Sequence, residues 1–146
     1  MASRVLAVII AMIAGTLCAG DESVMNNDGN RIRFTFSDKE IIVSMVDNSA
    51  ARSLAEMLPL TLQFEDYAGS EKISSLPEKL DTSEVPAGYD PSVGDLTLYA
   101  PWGNLAFFYR DHGYAPGLVP LGSIVSGAEF LKELDSVDGV QVDVME

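Results

Sequence analysis

Short runs in which apolar and polar residues alternate recur along this chain, and a two-residue period of that kind suits a half-buried strand and nothing helical. Ile32, Phe34 and Phe36 alternate with Arg33 and Thr35; Leu60, Leu62 and Phe64 restart the pattern; Val140, Val142 and Val144 repeat it at the end. Ser37-Asp38-Lys39 turns the first run into Ile41 to Val46, which predicts a hairpin. Leu96 to Ala100 and Asn104 to Tyr109 flank a tight turn at Pro101-Trp102-Gly103, and Leu118 to Val125 supplies a further strand. Glu65 to Gly69 carries turn chemistry. Residues 70 to 93 read mostly as loop, punctuated by Pro77, Pro86 and Pro91, with a short strand at Lys72 to Leu76.

Two stretches carry helical signals. Asp47 and Asn48 can accept from the free N–H groups of a helix start, and Ala51, Leu54, Ala55 and Leu58 follow at helical spacing until Pro59 ends the run. Ser126-Gly127-Ala128-Glu129 has the form of a capping box, with Val125 and Phe130 as its hydrophobic staple, opening a helix over Ala128 to Asp135. Two short helices cannot cover both faces of a parallel sheet. The pattern therefore predicts a mainly β domain built as a closed or nearly closed barrel.

The first twenty residues stand apart. Arg4, an apolar run from Val5 to Ala14 and small residues from Gly15 to Gly20 have the layout of a secretory signal. The run is about half the ~20 residues that span a bilayer, so no permanent membrane span is expected. Residues 21–30 read as a flexible acidic leader and residues 31–146 as one domain. The expected location is periplasmic or extracellular. Lipid anchoring at Cys18 is the alternative, although Leu17 just before the cysteine is larger than lipidation favours. Beyond the signal, eight basic residues face twenty-two acidic ones, a net charge of about −14 that repels phosphate backbones and argues against nucleic-acid binding.

Little in the chain can do familiar catalysis. His112 is the only histidine and Cys18 the only cysteine, so a histidine-based zinc site or a Cys-His pair has no material. Ser44, Ser49, Ser53 and Ser126 lie in no nucleophile-elbow pattern. Asp81, Glu84, Asp90 and Asp95 lack the spacing of an EF-hand loop. No catalytic residue, metal ligand or cofactor is assigned.

Tyr99 to Tyr114 holds six of the twelve aromatic residues. One reading is a pair of core-lining strands. The other is an apolar groove that receives a peptide or small molecule while Asn104 fixes its direction, and alternation along a strand allows both at once. Tyr99, Trp102, Asn104, Phe108 and Leu118 are the candidate ligand-binding residues.

The segments VDNSAARSLAEMLPLTLQFEDYAGSEKISSLP, GDLTLYAPWGNLAFFYRDHG and GLVPLGSIVSGAEFLKEL resemble the bacterial cyclophilin-like domain family in content, order and spacing. That resemblance implies an eight-stranded β-barrel closed at each end by a helix. It also implies where a prolyl isomerase would place its catalytic groups. Standard cyclophilins set an arginine, following Phe-His, over the prolyl amide nitrogen, which weakens the double-bond character of a slowly rotating bond. Here Phe64-Glu65-Asp66 puts acid there, the glutamine before the aromatic pair is missing at Leu105-Ala106-Phe107-Phe108, and the pocket histidine falls near Leu118. The expectation is a binding module without efficient isomerisation. A slow or atypical prolyl isomerase using Arg52 or Arg110 is the alternative.

Overall fold

The structure is a computed structural model describing residues 30–145. The expected secretory signal over residues 1–20, the anchor at Cys18 and, apart from Asn30, the leader over residues 21–30 lie outside the described residues. Among the described residues no helix is long and apolar enough to cross a membrane.

The first hairpin joins β1 (Arg31–Phe36) to β2 (Lys39–Met45) through Ser37-Asp38, with Phe36 opposite Lys39. Ile32, Phe34 and Phe36 all turn inward and are buried, as their alternation predicts. Helix α1 (Ser49–Met57) follows. Asn48 Oδ1 accepts from Ala51 N at 2.8 Å, while Asn48 Nδ2 donates to Pro120 O at 2.9 Å, so one side chain caps the helix and ties it to a distant strand.

The strands that follow are β3 (Leu60–Leu62), β4 (Glu65–Tyr67), β5 (Glu71–Ser75), β6 (Gly88–Tyr89), β7 (Asp95–Tyr99) and β8 (Asn104–Phe108). The last three are β9 (Ala115–Pro116), β10 (Leu118–Ser126) and β11 (Val140–Val144). Nine of them form one antiparallel sheet in the order β3-β11-β1-β2-β10-β7-β8-β5-β4, and β6 pairs with β9 in a separate ribbon.

This corrects the closed, eight-stranded barrel expected from the sequence. The sheet is curled but open, with β3 and β4 at its two edges. Those edges are consecutive in the chain, separated by Gln63 and Phe64 alone. Phe64 turns into the core at that point. The backbone thus passes from one edge of the sheet to the other without reversing, and a strand cannot ladder with the segment that continues it in the same direction. Glu65–Tyr67, expected as a turn, is the edge strand β4.

The curl encloses the main core. Phe34 packs against Phe107 and Phe64 at ring-centroid distances of 5.2 and 6.2 Å, and Leu96, Leu98, Leu105, Leu121 and Val142 fill the space around them. The second helix is a 3₁₀ helix, Ala128–Ser136, that contributes Leu131 and Leu134 to this core. The expected capping box does not form. Ser126 is still in β10, paired opposite Ile42, and the cap position is taken by Gly127 at φ 87° with no side-chain hydrogen bond. A Cβ at Gly127 would collide with the Glu40 carbonyl oxygen, so this close approach of turn to hairpin requires glycine.

Candidate functional site

Alternation along β8 sends Leu105 and Phe107 into the main core, and Asn104, Ala106 and Phe108 to the opposite, outer face. All five are nonetheless buried, because the outer face carries a cluster of its own. Ala106, Phe108 and Leu118 form it, with Ile73, Tyr89, Tyr99 and Ala115 packed against them. Register fixes these neighbours: Tyr99 faces Asn104 on one side and Leu118 on the other, and Glu71 faces Phe108.

Beside this cluster lies a cavity of about 280 Å³. Tyr99, Trp102, Asn104, Phe108 and Leu118, singled out from the sequence, all line it. The turn between β7 and β8 presents the tryptophan: Gly103 N donates to Tyr99 O at 2.8 Å, and Gly103 takes φ 71°. Trp102 is left 61% exposed at the mouth, edge-on to Tyr99 at 5.3 Å and to Tyr67 at 5.6 Å. His112 stands edge-on to Phe108 at 5.4 Å and hydrogen-bonds through Nδ1 to Gly113 O at 3.2 Å.

Tyr67, Glu71, Ile73, His112, Ala115 and Pro116 complete the lining and escaped the sequence reading. Tyr67 and His112 come from segments that read as turn and loop, and Glu71 falls in the stretch from 70 to 93 that reads mostly as loop. The pairing of β5 with β8 places Glu71 on the outer face beside the aromatic residues and leaves it only 8% exposed. Burial raises its carboxyl above the usual glutamate value, against the lowering influence of the Ser70 hydroxyl and of His112.

Asn104 is 7% exposed, and its amide is fixed by chemistry. Nδ2 donates to Leu105 O at 3.0 Å, an orientation that a flip would replace with two facing oxygens. Oδ1 is left buried with no hydrogen-bond partner.

The arginines weighed as displaced catalytic groups are elsewhere. Arg52 is bound to Asp47 and, at 3.1 Å, to Glu84 on the α1 side, and Arg110 is exposed outside the lining. Asp66, where the standard arginine would fall, joins Lys72 and Tyr109 in a separate network. Among the described residues no three His, Cys, Asp or Glu side chains gather to hold a metal ion.

The description "cyclophilin-like family" fits residues 34–145 of this chain, which is most of its length and nearly all of the described domain. The chain belongs to the cyclophilin-like family. The solution structure of the hypothetical protein AF2241 from Archaeoglobus fulgidus has a similar fold, with a TM-score of 0.60 and 19% identity over 81% of this chain and 96% of that one. That identity is low enough for the likeness to speak to fold alone. No curated protein matches the chain. In this cyclophilin-like domain the aromatic cavity lies on the outer face of the curled sheet, and the residues of its wall carry the Glu71 carboxylate, the Asn104 amide, the Tyr67 and Tyr99 hydroxyls, the Trp102 indole N–H and the His112 ring.

Proposed function

We propose that this cyclophilin-like domain is an exported binding module that holds a peptide or small ligand in the outer-face cavity without efficient prolyl isomerisation. The observation that carries the reading is the composition of the wall. It offers aromatic and aliphatic surface and an orphaned amide oxygen, and includes neither arginine nor lysine. At about 280 Å³ the cavity is just below the roughly 300–1,000 Å³ of ligand sites, which suits one side chain or a small molecule. Without a cation over the prolyl nitrogen, a bound X-Pro bond keeps most of its barrier to rotation, ~18–20 kcal/mol.

The test is a proline-peptide isomerisation assay paired with a binding titration. The expected result is saturable binding with isomerisation close to the uncatalysed rate. Turnover comparable to a standard cyclophilin would overturn the reading. Export rests on the layout of residues 1–20, and a chain recovered only in the cytosol after fractionation would remove that part.

A further inference from the structure

The proposed function leaves the ligand's chemistry open, and the polar groups of the cavity narrow it. A buried acceptor without a partner is costly, and a ligand whose N–H donor reaches it relieves that cost. Asn104 Oδ1 is such an acceptor, closed to solvent in the ligand-free domain, and its orientation is held by the Nδ2 bond to Leu105 O. The charged acceptor of the wall is the Glu71 carboxylate, which takes one hydrogen bond, from Ser70 Oγ at 3.3 Å, and shares the wall with the Tyr67 and Tyr99 hydroxyls and the Trp102 N–H. No ion pair reaches it among the described residues, and His112, the basic member of the wall, spends Nδ1 on Gly113. The rest of the wall is largely aromatic, with Tyr67, Tyr99, Trp102 and Phe108 around the mouth and floor.

Acceptors, one negative charge and aromatic surface are what an N–H-bearing cation requires. Its charge is attracted by ring faces and by the carboxylate, and its donors satisfy the oxygens. A planar guanidinium can do all three at once, stacking on a ring while donating to two acceptors. The overall charge of −13 draws a basic ligand from a distance as well.

We propose that the cavity takes the guanidinium head of an arginine side chain in an extended peptide, anchored by Glu71 between the aromatic walls. The inference rests on the binding-module reading and assigns the specificity of that same cavity. Recognition is then of a basic residue, with any proline in the peptide incidental.

The test uses Trp102, the only tryptophan, as its reporter in the full domain. Short capped peptides carrying arginine, lysine, citrulline or alanine-proline are titrated against the wild type, Glu71→Gln and Asn104→Ala, with ethylguanidinium as a free-cation probe. The arginine peptide is expected to bind at least about tenfold more tightly than its neutral citrulline isostere, and Glu71→Gln to erase that preference. A thermal melt of each variant keeps the result readable, and Glu71→Gln, which removes a buried charge, is expected to melt no lower than wild type at neutral pH. Equal affinity for arginine and citrulline peptides overturns the inference. So does a preference for the proline peptide that Glu71→Gln leaves unchanged, and that outcome keeps the binding-module reading standing. Ethylguanidinium or the lysine peptide binding as tightly as the arginine peptide overturns the assignment to a peptide arginine. Failure of every probe to bind sinks the inference and the binding-module reading together.

Discussion

Lys72 Nζ lies 2.9 Å from Asp135 Oδ1, which fastens β5 to the 3₁₀ helix across one end of the curled sheet. The same ammonium reaches Asp66 at 3.1 Å and lies 5.0 Å from the centre of the Tyr109 ring. Burial pushes Lys72 towards losing its proton, but its hydrogen bonds to Asp135 and Asp66 outweigh that and hold its pKa above the ordinary value. Lys72→Met strands two carboxylates that are each about one-third exposed and can partly rehydrate. The expected loss is about 1–3 kcal/mol, below the full cost of breaking a deeply buried pair. Urea unfolding at neutral pH measures it, and a midpoint equal to wild type would refute it.

Asp66 gives this network a pH signature. A hydrogen bond from the Tyr109 hydroxyl, and then the one from Lys72, hold its carboxyl below the ordinary value of 3.8. A carboxyl depressed in the folded state stabilises fully above its unfolded value and loses that contribution as pH falls through the folded one. Tyr109→Phe should therefore be less stable than wild type at pH 7, with the difference shrinking below pH 3.8. Urea midpoints across that range check it, and a difference that widens in acid would be the wrong sign.

Glu71 should behave in the opposite way. Its carboxyl is raised by burial above the ordinary 4.5, so its contribution is present below that value and lost as pH rises through the folded one. Glu71→Gln should melt higher than wild type at pH 7 and match it below pH 4.5. The groups acting on Glu71 are Ser70, His112 and Asp66, so the comparison is made with all three intact. A variant that melts lower at pH 7 contradicts the assignment.

The alternation of β1 and β11 and the turn between β7 and β8 were legible from the residues alone, because one buried face imposes a two-residue period on a strand long enough to show it. The two-residue strands β6 and β9 have no room for a period, and their sequences carry only loop signals. Ser126 looked like a helix cap because local spacing cannot report that β10 still holds it opposite Ile42. The aromatic half of the site was visible as a concentration of rings in one segment. Glu71 was not, since its burial comes from pairing with β8, whose facing residue Phe108 lies far along the chain. The opening of the sheet at Phe64 is likewise a tertiary event that no local pattern records.

Gly127 and Gly103 separate backbone strain from collision. Both have positive φ, 87° and 71°, but a Cβ at Gly103 meets nothing within 4 Å, whereas one at Gly127 strikes the Glu40 carbonyl. Gly103→Ala should cost about 1 kcal/mol from the left-handed conformation alone, and Gly127→Ala roughly 3 kcal/mol or more. Paired chemical denaturation of the two variants tests the ranking, and equal losses would contradict it.

Trp102 should matter to binding more than to folding. It is 61% exposed and meets its neighbours edge-on, so Trp102→Ala is expected to cost at most about 1 kcal/mol of stability. Its emission in the wild type should shift on ligand binding because its ring stands at the cavity mouth. A ligand seen to bind by calorimetry with no change in that emission would place the site elsewhere.

The position of β11 has a consequence for how this protein is made. The last strand sits between β3 and β1, and so supplies the pairing partner of two of the earliest strands to leave the ribosome. Until Val140–Val144 emerges, β3 has no ladder at all and β1 has only β2. Closure of so long a loop is slow and comes late. The sheet therefore cannot be completed before Val140–Val144 is made, and two of the strands laid down first wait for one laid down after them.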